Sequence, residues 1–117
     1  WPWEGFFLCL PGSVATTHKI RDYTKKRPAL VISQEEYQKN THHCILAMIT
    51  SAKNSQWKTD LRIQDLELTG LPGLSIIRPK IFTLEERLIL REVGELSEKD
   101  RASVSNLLGQ IFIGLKA

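Results

Sequence analysis

Residues 25–51, KKRPALVISQEEYQKNTHHCILAMITS, decide the fold. The stretch opens on Lys25, Lys26, Arg27 and Pro28 and passes straight into the apolar run Ala29, Leu30, Val31, Ile32, closed by Ser33. A polar connector over residues 34–42 leads to a second apolar run, residues 44–49, which ends on Thr50 and Ser51. Two strand-length runs rich in β-branched residues, joined by a polar connector, predict neighbouring strands of one sheet. Antiparallel pairing would set the start of the first beside the end of the second, and so bring Arg27 and Thr50 to the same sheet edge. A guanidinium and a hydroxyl held together there suit a phosphate ester. On the residues alone, a solvated charge at a strand start is the simpler reading of Arg27.

Composition sets the frame for that site. The chain has 117 residues, 42% apolar and 25% charged, which predicts one domain, residues 1–117, with a single core. Sixteen Lys and Arg against thirteen Asp and Glu leave a formal charge of +3, which permits a polyanionic partner without demanding one. Cys9 and Cys44 both sit inside apolar runs and read as small buried hydrophobes rather than a disulfide or a metal pair. No CxxC or HExxH pattern occurs, so neither a structural zinc site nor any other cofactor is expected. The apolar runs are far shorter than a membrane span. Residues 6–10 are too short for a signal-peptide core, and Glu4 stands where a positive charge would be needed. The expected location is the cytoplasm. Trp1, not Met, opens the chain, which fits a start that is missing or processed.

Outward from the central stretch, residues 6–10 predict a first strand closed by Pro11 and Gly12. Residues 13–24 are polar and read as a long loop, either a basic flap over a binding groove or a solvated hairpin loop. Residues 52–59 form a second polar loop carrying Lys53, Trp57 and Lys58. A short strand is expected at 61–63 and a helical turn at 65–69, ended by Gly70. Residues 74–82 predict a long strand in which Pro79 demands an edge or a bulge. A turn at 85–87 and a strand at 88–96 follow. Ser97 then caps a helix whose stripe of Val104, Leu107, Leu108, Ile111, Phe112 and Leu115 predicts packing on the sheet. The fold class is α+β: an antiparallel, partly closed sheet of five to seven strands with a C-terminal helix.

Five segments together resemble the MazF/PemK family of type II toxin–antitoxin toxins. They are Arg27-Pro28-Ala29-Leu30-Val31-Ile32-Ser33, Leu46-Ala47-Met48-Ile49-Thr50-Ser51, Gly70-Leu71-Pro72, residues 75–84 (SIIRPKIFTL), and Gly94-Glu95-Leu96-Ser97 before a helix. The resemblance implies a small SH3-like antiparallel β-barrel or sheet with short helices and a C-terminal helix, a form shared with CcdB. It also implies a homodimeric, metal-independent endoribonuclease that cuts single-stranded RNA, mostly messenger RNA, at short sequences, and a cognate antitoxin that blocks its groove. The family's catalytic arginine falls on Arg27 and its catalytic threonine on Thr50. The 2′-hydroxyl acts as nucleophile in that chemistry and leaves a cyclic phosphate and a free 5′-hydroxyl. The N-terminus departs from the pattern, because the family's Gly-Asp opening is absent, and residues 13–24 are not assigned to any of its segments.

The chemistry suits those residues. Arginine stays protonated and is a poor general base, but it donates paired hydrogen bonds to phosphate oxygens. Arg27 is therefore expected to stabilise charge on the phosphorane and to assist the leaving group. Thr50 would donate to a non-bridging oxygen, helped by Ser51, as in an oxyanion hole. Lys19, Arg21, Lys25, Lys26 and Lys53 would supply phosphate contacts; Trp57 and Tyr23 read either as base-stacking surfaces or, as aromatics more often are, as packing residues. His42 and His43 fall at the opposite end of their strand from Thr50 and read as structural or solvated; His18 is the better histidine candidate for RNA contact, though a weak one. Two other functions fit the same fold, a CcdB-like DNA gyrase poison and a catalytically degenerate member that only binds antitoxin. The Arg27–Thr50 pair favours the nuclease.

Overall fold

The computed structural model describes residues 10–19, 22–112 and 114–115. Among these residues, six strands pair antiparallel in one sheet: β1 (Ser13–Lys19), β2 (Asp22–Val31), β3 (His43–Ser51), β4 (Leu61–Arg62), β5 (Ser75–Glu85) and β6 (Ile89–Glu95). Two α-helices accompany them, α1 (Glu35–Thr41) and α2 (Glu98–Phe112). The spatial order is β4-β5-β3-β2-β1-β6, so the sheet is α+β in class and stays open between β4 and β6. No helix among the described residues is long and apolar enough to cross a membrane.

The two runs of the central stretch become β2 and β3. They pair through Ala29 with Met48, Leu30 with Ala47 and Val31 with Leu46. Their apolar residues are continuous rather than alternating because both faces of the sheet are covered. One face gathers Ala15, Ala29, Val31, Cys44, Leu46, Leu84 and Ile89. The other gathers Val14, Leu30, Ala47, Ile49, Ile77, Leu96 and, from α2, Val104. Successive residues of each strand divide between these two clusters, as period-two geometry requires.

Three expectations need correction. Residues 13–24 are not a long loop: β1 and the start of β2 occupy most of them, paired from Val14 with Leu30 to Lys19 with Asp22. Hydroxyl groups hid this strand, for Thr16 and Thr17 are β-branched and suit a pleated backbone despite their polarity. The connector 34–42 contains α1, which ends on His42 in the left-handed conformation at φ 58°. The α2 stripe reaches the core only through Val104 and Leu108, whereas Ile111 and Phe112 are 41% and 58% exposed. The strand expected at 6–10 lies outside the described residues, apart from Leu10, which is irregular.

Other expectations match. Pro79 falls in a bulge: Met48 faces Arg78 and Ala47 faces Ile81, which leaves Pro79 and Lys80 unopposed on β3. A residue without an N–H costs no ladder bond there. Ser97 caps α2 by accepting the Asp100 N–H at 3.2 Å. Asp100 does more than complement the helix dipole. Its buried carboxylate accepts the backbone N–H groups of Gln64 and Asp65 at 2.9–3.2 Å, which ties the start of α2 to the segment after β4.

Gly94, opposite Val14 in the β1–β6 pairing, lets β6 lie against the 3-10 turn Glu67–Thr69. A Cβ at Gly94 would overlap the backbone of Leu68 and Thr69. Gly94→Ala should therefore lower stability by about 1–3 kcal/mol, the usual cost of overpacking. Gly109, on α2, has open space around its Cα. Gly109→Ala should raise stability by about 0.5–1 kcal/mol through helix propensity. Urea unfolding of the two variants should move in opposite directions from wild type.

Candidate active site

The start of β2 and the end of β3 open into a groove of about 970 Å³. Extending the β2–β3 register two residues beyond Ala29 and Met48 sets Arg27 opposite Thr50, and both line this groove. Cross-strand partners share a sheet face, so the two side chains belong to one side of the sheet. Arg27 is exposed, and its backbone carbonyl accepts the Thr17 hydroxyl at 3.4 Å, which fixes the strand beneath it. Thr50 is only 8% exposed. The rest of the rim is cationic: Lys25, Lys26, Lys53 and Arg62 join Arg27, and no acidic residue lines the groove among the described residues. Leu71, Pro72 and Leu74, on the loop before β5, add an apolar part to its lining. A concave site with one sign of charge concentrates an anionic ligand.

A fixed loop borders this groove. After β3 the chain makes a 3-10 turn, Ala52–Asn54, whose first N–H bond is capped when the Ser51 hydroxyl accepts from the Lys53 N–H at 3.3 Å. Asn54 then reaches back: its side-chain amide donates to the Thr50 hydroxyl oxygen at 3.1 Å. Arg78, inside the sheet just before the β5 bulge, holds the loop from below. It donates to the Asn54 carbonyl at 2.8 Å and makes a two-point pair with Asp60 at 2.9 and 3.0 Å. Asp60 also accepts the backbone N–H groups of Gln56 and Trp57, each at 3.0 Å. The Trp57 ring covers the Arg78 guanidinium, 5.2 Å from its centroid.

The ion pair is buried, with side-chain exposures of 10% for Arg78 and 1% for Asp60. Hydrogen bonds from Arg78 are the main reason that the Asp60 carboxyl is held down to about 2; the Gln56 and Trp57 N–H groups add to this, against the opposing cost of burial. The Arg78 guanidinium is correspondingly pushed up by its bonds to Asp60.

Of the residues expected at the site, Arg27, Thr50, Lys25, Lys26, Ser51 and Lys53 all line the groove. Lys19 ends β1 opposite Asp22, and Arg21 lies outside the described residues. His43 begins β3, seven residues and roughly 20 Å of extended chain from Thr50. His42 pairs with Glu86 at 3.0 Å, and the His43 ring bonds to the Thr41 carbonyl at 2.7 Å. Both histidines therefore sit in the local structure around α1. Asn54 and Arg62 were missed by sequence reasoning. Asn54 carried one signal, its place four residues beyond Thr50 in a turn-forming stretch, while Arg62 gave none beyond its charge.

Residues 13–112 match the family described as PemK-like, MazF-like toxin of type II toxin-antitoxin system. The chain belongs to this family. Solved structures agree on the fold. A chain of the MazE–MazF complex from Deinococcus radiodurans superposes with a TM-score of 0.71 at 20% identity, covering 94% of this chain and 99% of that one. An endoribonuclease in complex with its cognate antitoxin from Mycobacterial species gives 0.71 at 16% identity, over 94% and 97% of the two chains. A MazF toxin of Mycobacterium tuberculosis gives 0.69 at 18% identity, over 86% and 95%. No curated protein matches the chain in sequence.

The Asp60–Arg78 pair gives the toxin a defined acid response. A carboxyl held low in the folded state contributes stability that is complete above its ordinary value near 4. That contribution is lost as pH falls toward about 2. Asp60→Asn should lower stability near neutral pH, because it leaves the Arg78 guanidinium beside an uncharged partner. Urea unfolding at pH 7 and at pH 2.5 checks both points. The gap between wild type and variant should be wide at the first and narrow at the second.

Proposed function

We infer that this toxin is a metal-independent, sequence-selective endoribonuclease that cleaves single-stranded RNA, messenger RNA in particular. The observation that carries the reading is the cationic groove that Arg27 and Thr50 both line, at the ends of strands whose pairing reaches Ala29 with Met48. In the proposed reaction the ribose 2′-oxygen attacks the adjacent phosphorus and the bond to the 5′-oxygen breaks. The products are a 2′,3′-cyclic phosphate and a 5′-hydroxyl end. Arg27 remains a cation and donates to the phosphorane oxygens and the leaving 5′-oxygen. Thr50 donates to a non-bridging oxygen, with Ser51 beside it. Lys25, Lys26 and Lys53 contact flanking phosphates without reading sequence.

Leu71, Pro72 and Leu74 give the groove an apolar surface for bases rather than phosphates. A cognate antitoxin would silence the toxin by occupying this groove. The two structural relatives that are antitoxin complexes support that partner. The exposed Ile111 and Phe112 at the end of α2 supply an apolar surface for a second copy of the chain in a cytoplasmic homodimer.

Incubation of the purified protein with a long single-stranded RNA in EDTA tests the reading. Cleavage at discrete sites with 5′-hydroxyl ends is expected. Thr50→Ala should slow it about 100- to 1,000-fold, the usual effect of losing one charge-stabilising donor. Arg27→Ala should abolish it. Intact RNA with folded wild-type protein would overturn the proposal and turn attention to gyrase.

A further inference from the structure

The hydrogen bond between Asn54 and Thr50 has a direction, and the direction bears on what Thr50 can do. A hydroxyl offers one proton and two lone pairs. In this site the Asn54 amide donates to the Thr50 oxygen at 3.1 Å and so occupies a lone pair. The Thr50 proton is left to be given elsewhere, and Thr50 faces a groove rimmed by cations. A carbonyl or carboxylate in place of the amide would do the reverse. It would draw the Thr50 proton to itself and present the groove with a lone pair, which repels an anion.

Asn54 is held for this task from several sides. Its carbonyl accepts from Arg78 at 2.8 Å, and Arg78 is fixed in turn by its two-point pair with Asp60. The Lys53 N–H bond to Ser51 closes the turn from the β3 side. With the backbone of Asn54 set by groups on β3 and β5, its short side chain has little freedom beyond two torsions. We propose that Asn54 is a positioning residue that keeps the Thr50 hydroxyl oriented as a donor toward phosphate. The proposal rests on the ribonuclease reading above for its kinetic consequences, and on the hydrogen bond alone for its structural one.

The kinetic consequence is specific. Asn54 acts through Thr50, so its loss should lower kcat and leave KM nearly unchanged. Asn54→Ala should cost about 10-fold in kcat, the worth of one neutral hydrogen bond. Asn54→Asp should cost more, approaching the effect of Thr50→Ala, because its carboxylate captures the Thr50 proton. In a Thr50→Ala background, Asn54→Ala should change kcat by less than about 2-fold, since there is no hydroxyl left to orient. Equal losses in both backgrounds would overturn the proposal and make Asn54 a structural residue of the loop.

A second measurement needs no RNA. In the full chain, Thr50→Val keeps the shape of residue 50 and removes the acceptor. It should shift a side-chain amide proton of Asn54 upfield in a nitrogen–proton correlation spectrum while the Arg78 side-chain signals stay in place. Unmoved Asn54 signals would overturn the proposal even if the enzyme is active. A wild-type protein that leaves RNA intact, with the Asn54 signals shifted as expected, would refute the ribonuclease reading and uphold the hydrogen bond's direction.

Discussion

The antiparallel pairing of β2 with β3 is the constraint on which the site depends. Arg27 and Thr50 are 23 positions apart, and only the register of Ala29 with Met48 sets one opposite the other. That register is held by burial on both faces of the sheet, where Ala29, Val31 and Leu46 enter one cluster and Leu30, Ala47 and Ile49 the other. A slip of one residue would exchange the two sets and misfit both clusters at once. The same apolar runs that build the core therefore also bring residues 27 and 50 to one groove. Fold and site are specified by one set of contacts.

The groove divides electrostatic work between mobile and fixed charges. Lys25, Lys26, Arg27 and Lys53 are exposed and reach into solvent, which suits steering and loose phosphate contact. Arg78 is different. Buried, paired with Asp60 and covered by Trp57, its charge is spent on ordering residues 54–60. Such a pair adds little stability over an apolar equivalent, but its geometry is definite. The β5 bulge at Pro79 and Lys80 lies directly beyond Arg78, so the irregularity in the sheet and the anchor of the loop are neighbours.

Much of this was legible in the residues. The strands around 29–33 and 44–49, the bulge at Pro79, the Ser97 cap and the edge position of Arg27 and Thr50 follow from local pattern and from antiparallel geometry. β1 was not legible, because threonines at 16 and 17 look like loop residues by polarity while their branching favours a strand. The exposed end of α2 was equally hidden, since an amphipathic stripe does not reveal how far a sheet extends beneath it. Asn54 escaped notice because its partner is known only once the turn at Ala52–Asn54 folds back over Thr50. The Asp60–Arg78 pair spans eighteen positions and needs both the loop and β5 in place. Long-range polar contacts of this kind leave no periodic trace.

The central claim is that Arg27 and Thr50 converge on one phosphate. A crystal structure of the protein with an oligoribonucleotide whose cleavage site carries a single 2′-deoxyribose, which removes the nucleophile, tests it most directly. The account predicts the uncleaved phosphate within hydrogen-bond reach of both the Arg27 guanidinium and the Thr50 hydroxyl, with bases toward Leu71 and Leu74. RNA bound along another face, or a phosphate held by the lysines with Arg27 and Thr50 turned away, would contradict it.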